Sequence, residues 1–264
     1  MYPFALERPA TLAAALELLA SGGQPMAGGQ TLLAALKQRL ANPELLVDLS
    51  GIRELEGIQC TAERVTIGAM TRHQAVAAHP GIRVAIPGLA RLAGGIGDRQ
   101  VRAMGTIGGS LANNDPSACY PSAVLALGAT IRTDRREIAA DDFFRGLYET
   151  ALQPGELIVA VSFPVPRAGA YAKFKQPASR YAMVGVFVAR SASSVRVAVT
   201  GAGNVVFRHA GLEAALTRDF SPAAVEGVAV DTAGINADLH ASAEYRAQLI
   251  RVQTQRAVQQ ALAG

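Results

Sequence analysis

GTIGGSLANNDPSACYPSAVLALGA, residues 105–129, combines a glycine pair, two asparagines and an Asp-Pro step, and then continues as a smooth apolar run. A surface loop needs polar residues, but it does not need the Gly108-Gly109 pair enclosed between Met104 and Leu111. Glycine lets a backbone approach a neighbour closely and adopt unusual φ and ψ angles. The stretch therefore predicts a backbone pressed against a ligand or another segment, with an apolar helix that anchors it in the core.

A second glycine pair lies upstream in PMAGGQTL, residues 25–32, between a predicted strand and a predicted helix. The N–H groups of such a turn suit a phosphate, although a glycine pair taken alone usually marks only a turn. Two such loops could close on the two phosphates of one dinucleotide. Neither has the GxGxxG spacing of the Rossmann fingerprint, so a dinucleotide would bind through a different fold. GAGNVVF, residues 201–207, begins like that fingerprint, but Phe207 replaces the third glycine and favours a strand-end turn.

Composition excludes several classes of protein. The 264 residues are 50% hydrophobic, which is enough for a substantial core. Tryptophan is absent, aromatic residues make up 5% and the net charge of +4 is scattered, so no nucleic-acid surface is expected. The first residues predict an amphipathic helix with Glu17 rather than a signal peptide or membrane span. Two cysteines and four unclustered histidines predict neither a disulfide framework nor a metal site. We expect a cytoplasmic protein.

Predicted helices and strands alternate up to about residue 165, as in α/β folds. ALERPATLAAALELLAS, residues 5–21, predicts a helix entered through Pro9 and Thr11. The composition changes after PVPRAGA, where β-rich segments come first and helical segments follow, including SPAAVEGVAV at residues 221–230. We therefore place a domain boundary near residue 167, before a small α+β domain.

Only three lysines are present, and two of them, Lys173 and Lys175, lie in the predicted strand AYAKFKQ just past that boundary. Residues two apart on a strand face the same side. A lysine at a domain seam could meet a phosphate or a flavin edge. A solvated strand face explains the same pattern equally well, and the local sequence leaves both interpretations open.

Three segments follow one another in a familiar order: AGGQTLLAALKQRLANPELLVDLSGI, IGAMTRHQAV and IGDRQVRAMGTIGGSLANNDPSACYPSAVLALGA. They resemble the FAD-binding medium subunit of molybdenum hydroxylases, a family that includes carbon monoxide, xanthine and aldehyde dehydrogenases. The resemblance covers nearly the whole chain. It implies an α+β fold. Residues 1–166 would form an FAD-binding domain of the vanillyl-alcohol-oxidase (PCMH) type, with two α/β subdomains. Residues 167–264 would form a C-terminal domain with a three-stranded antiparallel sheet and helices.

The resemblance also implies a set of cofactor contacts. Both glycine loops would surround the FAD pyrophosphate, Ile96 and Ile158 would lie beside the cofactor, and Lys175 would match a family lysine close to it. Cys119 stands where relatives usually carry Asp, and a thiol is a weaker hydrogen-bonding partner than a carboxylate. The implied FAD-binding residues are Pro25, Met26, Ala27, Gly28, Gly29, Gln30, Thr31, Leu32, Ile96, Thr106, Ile107, Gly108, Gly109, Ser110, Cys119, Ile158 and Lys175.

The implied activity is that of an oxidoreductase subunit without a catalytic acid or base of its own. The chain would carry FAD and pass electrons from the [2Fe-2S] clusters of a small partner subunit to an external acceptor. A large partner subunit would hold the molybdenum-pterin centre, and the whole would form a dimer of heterotrimers. Two alternatives stay open. One is a stand-alone FAD-dependent oxidoreductase of the same fold, and the other is a non-catalytic nucleotide-binding assembly subunit.

Overall fold

The structure is a computed structural model that describes residues 1–264 as a mixed α/β fold. The strands are β1 (Ala5–Glu7), β2 (Gln24–Met26), β3 (Leu45–Asp48), β4 (Ile58–Cys60), β5 (Arg64–Gly68), β6 (Thr130–Thr133), β7 (Glu137–Ala139), β8 (Phe144–Gly146), β9 (Glu149–Thr150), β10 (Ile158–Pro164), β11 (Ala168–Lys175), β12 (Ala182–Arg190), β13 (Val195–Thr200) and β14 (Phe207–Arg208). The helices are α1 (Leu12–Ala20), α2 (Leu32–Lys37), α3 (His73–Ala78), α4 (Pro80–Ala85), α5 (Pro87–Gly94), α6 (Arg99–Met104), α7 (Ile107–Asn113), α8 (Tyr120–Ala126), α9 (Ala140–Phe143), α10 (Ala210–Arg218) and α11 (Ala243–Ala263). None of the helices combines the length and apolarity that crossing a membrane requires.

The strands form four sheets. A parallel sheet has the order β1-β3-β2, and a five-stranded antiparallel sheet has the order β4-β5-β10-β6-β7. A third, antiparallel sheet has the order β11-β12-β13-β14, and β8 pairs with β9. The resemblance implied three strands in the C-terminal sheet. The structure adds the two-residue strand β14, which pairs with the end of β13 after the turn at residues 201–206.

Strand β12 explains how the two halves of the chain pack. Eight of its nine residues are buried, because the sheet is covered on both faces. Phe187 and Ala189 face one apolar cluster, which also contains α5, α8 and the core of the five-stranded sheet. Val186 and Val188 face the other cluster, which includes residues of α10 and α11. The alternation of side chains along a strand therefore joins the N-terminal and C-terminal halves through one sheet.

Two local predictions were wrong. Residues 5–7 form strand β1 rather than the start of a helix, because Pro9 disfavours helical geometry in the residue before it and β3 offers a parallel partner. The helix begins only at Leu12, where the Thr11 side chain accepts a hydrogen bond from the Ala14 N–H. SPAAVEGVAV forms only a 3-10 turn at Ala223–Val225, since Gly227 adopts a left-handed φ of 76° that ends the turn.

Candidate functional site

The two glycine pairs meet at a cavity of about 680 Å³ between the parallel sheet, the five-stranded sheet and strand β11. A cavity of this size is typical of a site for a cofactor or another small molecule. Apolar and polar residues both line it. The lining includes every predicted site residue except two, Ile107 and Lys175.

The first glycine loop connects the end of β2 to the start of α2. Gly29 has a left-handed φ of 69°, which glycine adopts without strain. The backbone N–H groups of residues 27–31 donate to no acceptor in the chain, while the Gly29 and Thr31 carbonyls accept from the first turns of α2. Five consecutive unpartnered donors beside a cavity are suited to an anion. The loop therefore has the free backbone donors that a phosphate site needs, and phosphate binding at this loop stays a prediction.

The second glycine pair differs from its prediction as a loop. Thr106 is the N-cap of α7 and accepts from the Gly109 N–H at 3.1 Å, so Gly108 and Gly109 lie in the first helical turn. The N–H groups of Ile107 and Gly108 donate to the carbonyls of Thr71 and Ala69. The backbone donors of this segment are therefore used inside the protein. The segment instead presents the Ser110 hydroxyl, which lines the cavity and makes no hydrogen bond within the chain.

Close packing is the main use of these glycines. A Cβ on Gly28 would lie 2.2 Å from the Met104 carbonyl oxygen and 2.7 Å from the Gly105 Cα. A Cβ on Gly108 would lie 2.6 Å from the Cβ of Ala69 on the segment after β5. The glycine pairs thus bring the first loop, the segment before α7 and the end of β5 into direct backbone contact. This contact closes one wall of the cavity.

A turn at residues 95–98 and the start of β10 form another wall. Arg102 donates to the Ile96 carbonyl at 2.9 Å and holds the turn, in which Gly97 has a φ of 48°. Asp98 caps α6 by accepting from the Val101 N–H at 2.8 Å. Ile96 and Ile158 both line the cavity here, and their contact with a cofactor stays a prediction.

The structure separates the two lysines. Lys173 lines the cavity, and its ammonium donates to the Gly95 carbonyl at 2.9 Å and contacts the Cys119 Sγ at 3.3 Å. Lys175 is exposed and does not line the cavity. The pairing of β11 with β12 shifts register between Phe174 and Lys175, where Met183 is the unpaired residue of β12. Lys175 is the last residue of β11, so the two lysines differ in their position along the strand relative to the cavity. Ile107 also lies elsewhere, fully buried in the core.

Three titratable groups of the cavity wall have shifted pKa values, and burial raises that of Tyr181. Burial, and then the charge of Arg102, lowers the pKa of His73 to about 4, so this imidazole is neutral near pH 7. The Arg136 guanidinium hydrogen-bonds Glu156 at 2.9 Å and lowers the pKa of that carboxyl to about 2. Because the Glu156 charge is paired, it opposes an anionic ligand less than a free carboxylate would.

Sequence reasoning missed several residues of the cavity. Some of them lie in the segments that carry the family resemblance, next to the predicted contacts. Their position in those segments could have identified them as further candidates. Glu156 lies outside those segments and carried no local signal, because only the fold brings it to the cavity. The additional lining residues include Met70, His73, Asp98, Val101, Asn113, Asp115, Ser117, Glu156, Leu157, Arg180 and Tyr181.

Comparison with known proteins, like the geometry of the cavity, points to a site for a cofactor. Residues 2–166 match the protein family described as the FAD binding domain in molybdopterin dehydrogenase. The carbon monoxide dehydrogenase medium chain of Afipia carboxidovorans is 36% identical over 98% of this chain and 97% of the relative. The glyceraldehyde dehydrogenase medium chain of Sulfolobus acidocaldarius is 31% identical over 97% and 98%. A structure of reconstituted CO dehydrogenase from Oligotropha carboxidovorans superposes with a TM-score of 0.90 at 34% identity, covering 100% of this chain and 99% of the other.

Proposed function

The chain belongs to the family of FAD-binding domains of molybdopterin dehydrogenases, and we propose that it is the FAD-carrying medium subunit of a molybdenum hydroxylase. In this role it passes electrons from the [2Fe-2S] clusters of a partner subunit to an external acceptor. The family assignment rests on the match over residues 2–166 and on relatives of nearly equal length. Bound FAD supplies the one- and two-electron chemistry, while the protein contributes binding, orientation and electrostatics.

One observation carries the proposal: five unpartnered N–H groups at residues 27–31 border a cavity of about 680 Å³. A pyrophosphate needs several donors in a small space, and this loop offers them without a Rossmann fingerprint. Helix α7, which lies opposite the first glycine loop, offers the free hydroxyl of Ser110 and the side-chain amide of Asn113. This amide makes no hydrogen bond within the chain. The residues present therefore fit a dinucleotide with an anionic centre.

The roles of individual residues follow from their chemistry. Residues 25–32 would hold the pyrophosphate through backbone donors, and Thr106 and Ser110 would close on it from α7. Ile96 and Ile158 would bury the apolar part of the cofactor and keep water out. Cys119 would contribute a thiol that accepts from Lys173 rather than a carboxylate. Lys173, and not Lys175, would be the lysine at the cofactor.

The proposal extends to the domains and the assembly. Residues 1–166 would form the PCMH-type FAD domain of two subdomains, and residues 167–264 the C-terminal domain. The family match ends at residue 166 and β11 begins at Ala168, which supports this division. A large molybdenum-pterin subunit and a small [2Fe-2S] subunit would complete a heterotrimer in the cytoplasm, and two heterotrimers would associate.

Substrate choice would lie outside this chain. Medium chains named for carbon monoxide and for glyceraldehyde dehydrogenases align with almost all of it, although these two substrates share little chemistry. A subunit that bound the substrate directly would be expected to differ more in length and layout between such enzymes. The chain would therefore serve as a common electron outlet for different molybdenum sites.

The test is a titration of the purified chain with FAD, followed by flavin fluorescence, and a co-expression with the large and small subunits of its own organism. We expect saturable one-to-one binding and recovery of a complex that reduces bound FAD when substrate is added. A stand-alone oxidoreductase would instead reduce its FAD with substrate in the absence of both partners. Failure to bind FAD, alone and in the complex, would refute the proposal.

A further inference from the structure

The environment of Lys173 is unusual for a lysine. Its ammonium is partly buried at the cavity and has three partners: the Gly95 carbonyl at 2.9 Å, the Arg180 carbonyl at 3.2 Å and the Cys119 Sγ at 3.3 Å. These partners come from the end of α5, the segment between β11 and β12, and the start of α8. All three are formally neutral groups, if Cys119 is a thiol. The side chain is therefore held in place from three directions without a counter-ion.

No carboxylate of the chain compensates this charge directly. Every ion pair closer than 4.0 Å uses an arginine, and none includes Lys173. The acidic residues that line the same cavity are engaged elsewhere. Glu156 pairs with Arg136, Asp115 accepts from the Ser117 N–H at 2.8 Å, and Asp98 caps α6. A fixed ammonium without a protein counter-ion at a cavity wall is electrostatically complementary to an anionic group of a ligand.

A structural role accounts for part of this arrangement. The Gly95 carbonyl lies at the C-terminal end of α5, where cations interact favourably with unpaired carbonyls. Stabilising the end of α5 needs only a contact between the Lys173 ammonium and the Gly95 carbonyl. An exposed lysine at the end of this helix would serve equally well. This role therefore does not explain why the ammonium also lies against the Cys119 thiol at the cavity wall.

We propose that Lys173 is a positioning residue that favours the reduced state of the bound flavin. The inference rests on the proposed function, because it assumes that the cavity holds FAD. FAD held in this cavity would supply two-electron chemistry: near neutral pH, two electrons from the clusters of a partner subunit and one proton from water would convert the neutral oxidised ring into a monoanion. A nearby positive charge stabilises the monoanion more than the neutral oxidised ring and so raises the reduction potential.

The test compares two lysines of the same strand. Lys173→Met removes the ammonium at the cavity, and Lys175→Met removes an exposed ammonium outside it. Each full-length variant is loaded with FAD and reduced stepwise with dithionite beside a reference dye, which gives the midpoint potential without any turnover. FAD affinity is measured separately by flavin fluorescence, and circular dichroism and thermal unfolding check that the variants are folded.

We expect Lys173→Met to make the bound flavin at least about tenfold harder to reduce, which corresponds to a fall of about 30 mV for a two-electron couple. Lys175→Met should leave the potential at the wild-type value. Lys173→Arg keeps a cation there and should retain most of the potential. Cys119→Asp places a carboxylate next to the ammonium and should lower the reduction potential, as Lys173→Met does. This second variant tests the inference even if Lys173→Met does not fold.

Two results would overturn the inference. An unchanged potential in Lys173→Met and Cys119→Asp, with FAD affinity either normal or weakened, would make Lys173 a helix-end or phosphate contact only. Equal falls in Lys173→Met and Lys175→Met would show a general charge effect rather than a site. The proposed function is tested separately by FAD binding to the wild-type protein. If the wild-type protein binds no FAD, both the proposed function and the inference about Lys173 are refuted. If it binds FAD, only the role of Lys173 remains in question.

Discussion

Replacing Gly28 with alanine tests whether the contact between the first glycine loop and the segment before α7 holds the cofactor. The added Cβ would lie 2.2 Å from the Met104 carbonyl oxygen and 2.7 Å from the Gly105 Cα. Non-bonded atoms of this kind pack at about 3.5 Å, so the two backbones must separate by about 1 Å. Both neighbours are backbone atoms, and no side-chain rotation relieves the overlap.

A shift of this size displaces the N–H groups that would face the pyrophosphate. Hydrogen bonds to charged groups contribute about 1.5–3 kcal/mol each, and a displacement of about 1 Å weakens more than one of them. We expect the FAD dissociation constant to rise about 100-fold, equivalent to about 3 kcal/mol. The assay is the titration of the purified variant with FAD, followed by flavin fluorescence, with the melting temperature of the FAD-free protein measured in parallel.

Gly94→Ala is the matched control. Gly94 lies in α5 outside the cavity lining, and its Cβ would have Ala77 Cβ as its nearest neighbour at an ordinary 3.7 Å. This variant should bind FAD like the wild type and be equally stable or slightly more stable, since alanine is favoured over glycine in helices. Wild-type FAD affinity in Gly28→Ala would refute the argument that this backbone contact shapes the site.

Two further predictions concern stability. Gly108→Ala places a Cβ 2.6 Å from that of Ala69, and such overpacking should lower the free energy of unfolding by about 1–3 kcal/mol, seen as a lower urea midpoint even without FAD; an unchanged midpoint would contradict the packing argument. The pKa of His73 falls from 6.5 to about 4 on folding, so between those pH values the unfolded chain binds a proton that the folded chain does not. The free energy of unfolding should therefore be independent of this group above pH 6.5 and fall by about 2 kcal/mol from pH 6.5 to 5. In urea titrations, His73→Gln should lose that part of the pH dependence. If the free energy of unfolding falls equally steeply with decreasing pH in both proteins, His73 is not the group responsible.

The class of the candidate site is already readable in the amino-acid sequence. Gly28-Gly29 before a helix, Gly108-Gly109 after Thr106, and the absence of GxGxxG spacing already indicated a dinucleotide held outside a Rossmann fold. These features are readable because they depend on local backbone rules. A left-handed φ at Gly29 and a hydroxyl cap at Thr106 require particular residues at particular positions, whatever the rest of the chain does.

How each of these groups is used depends on the packing of the folded chain. The two glycine pairs look alike in sequence, but the N–H groups at residues 27–31 are free, while those of Ile107 and Gly108 are taken by carbonyls of a distant segment. Lys173 and Lys175 look equivalent, yet only Lys173 lines the cavity, whereas Lys175 is exposed at the end of β11. A hydrogen-bond partner or the distance of a side chain from a cavity depends on residues far away in the chain, so these assignments become defined only when the sheets and helices have packed together.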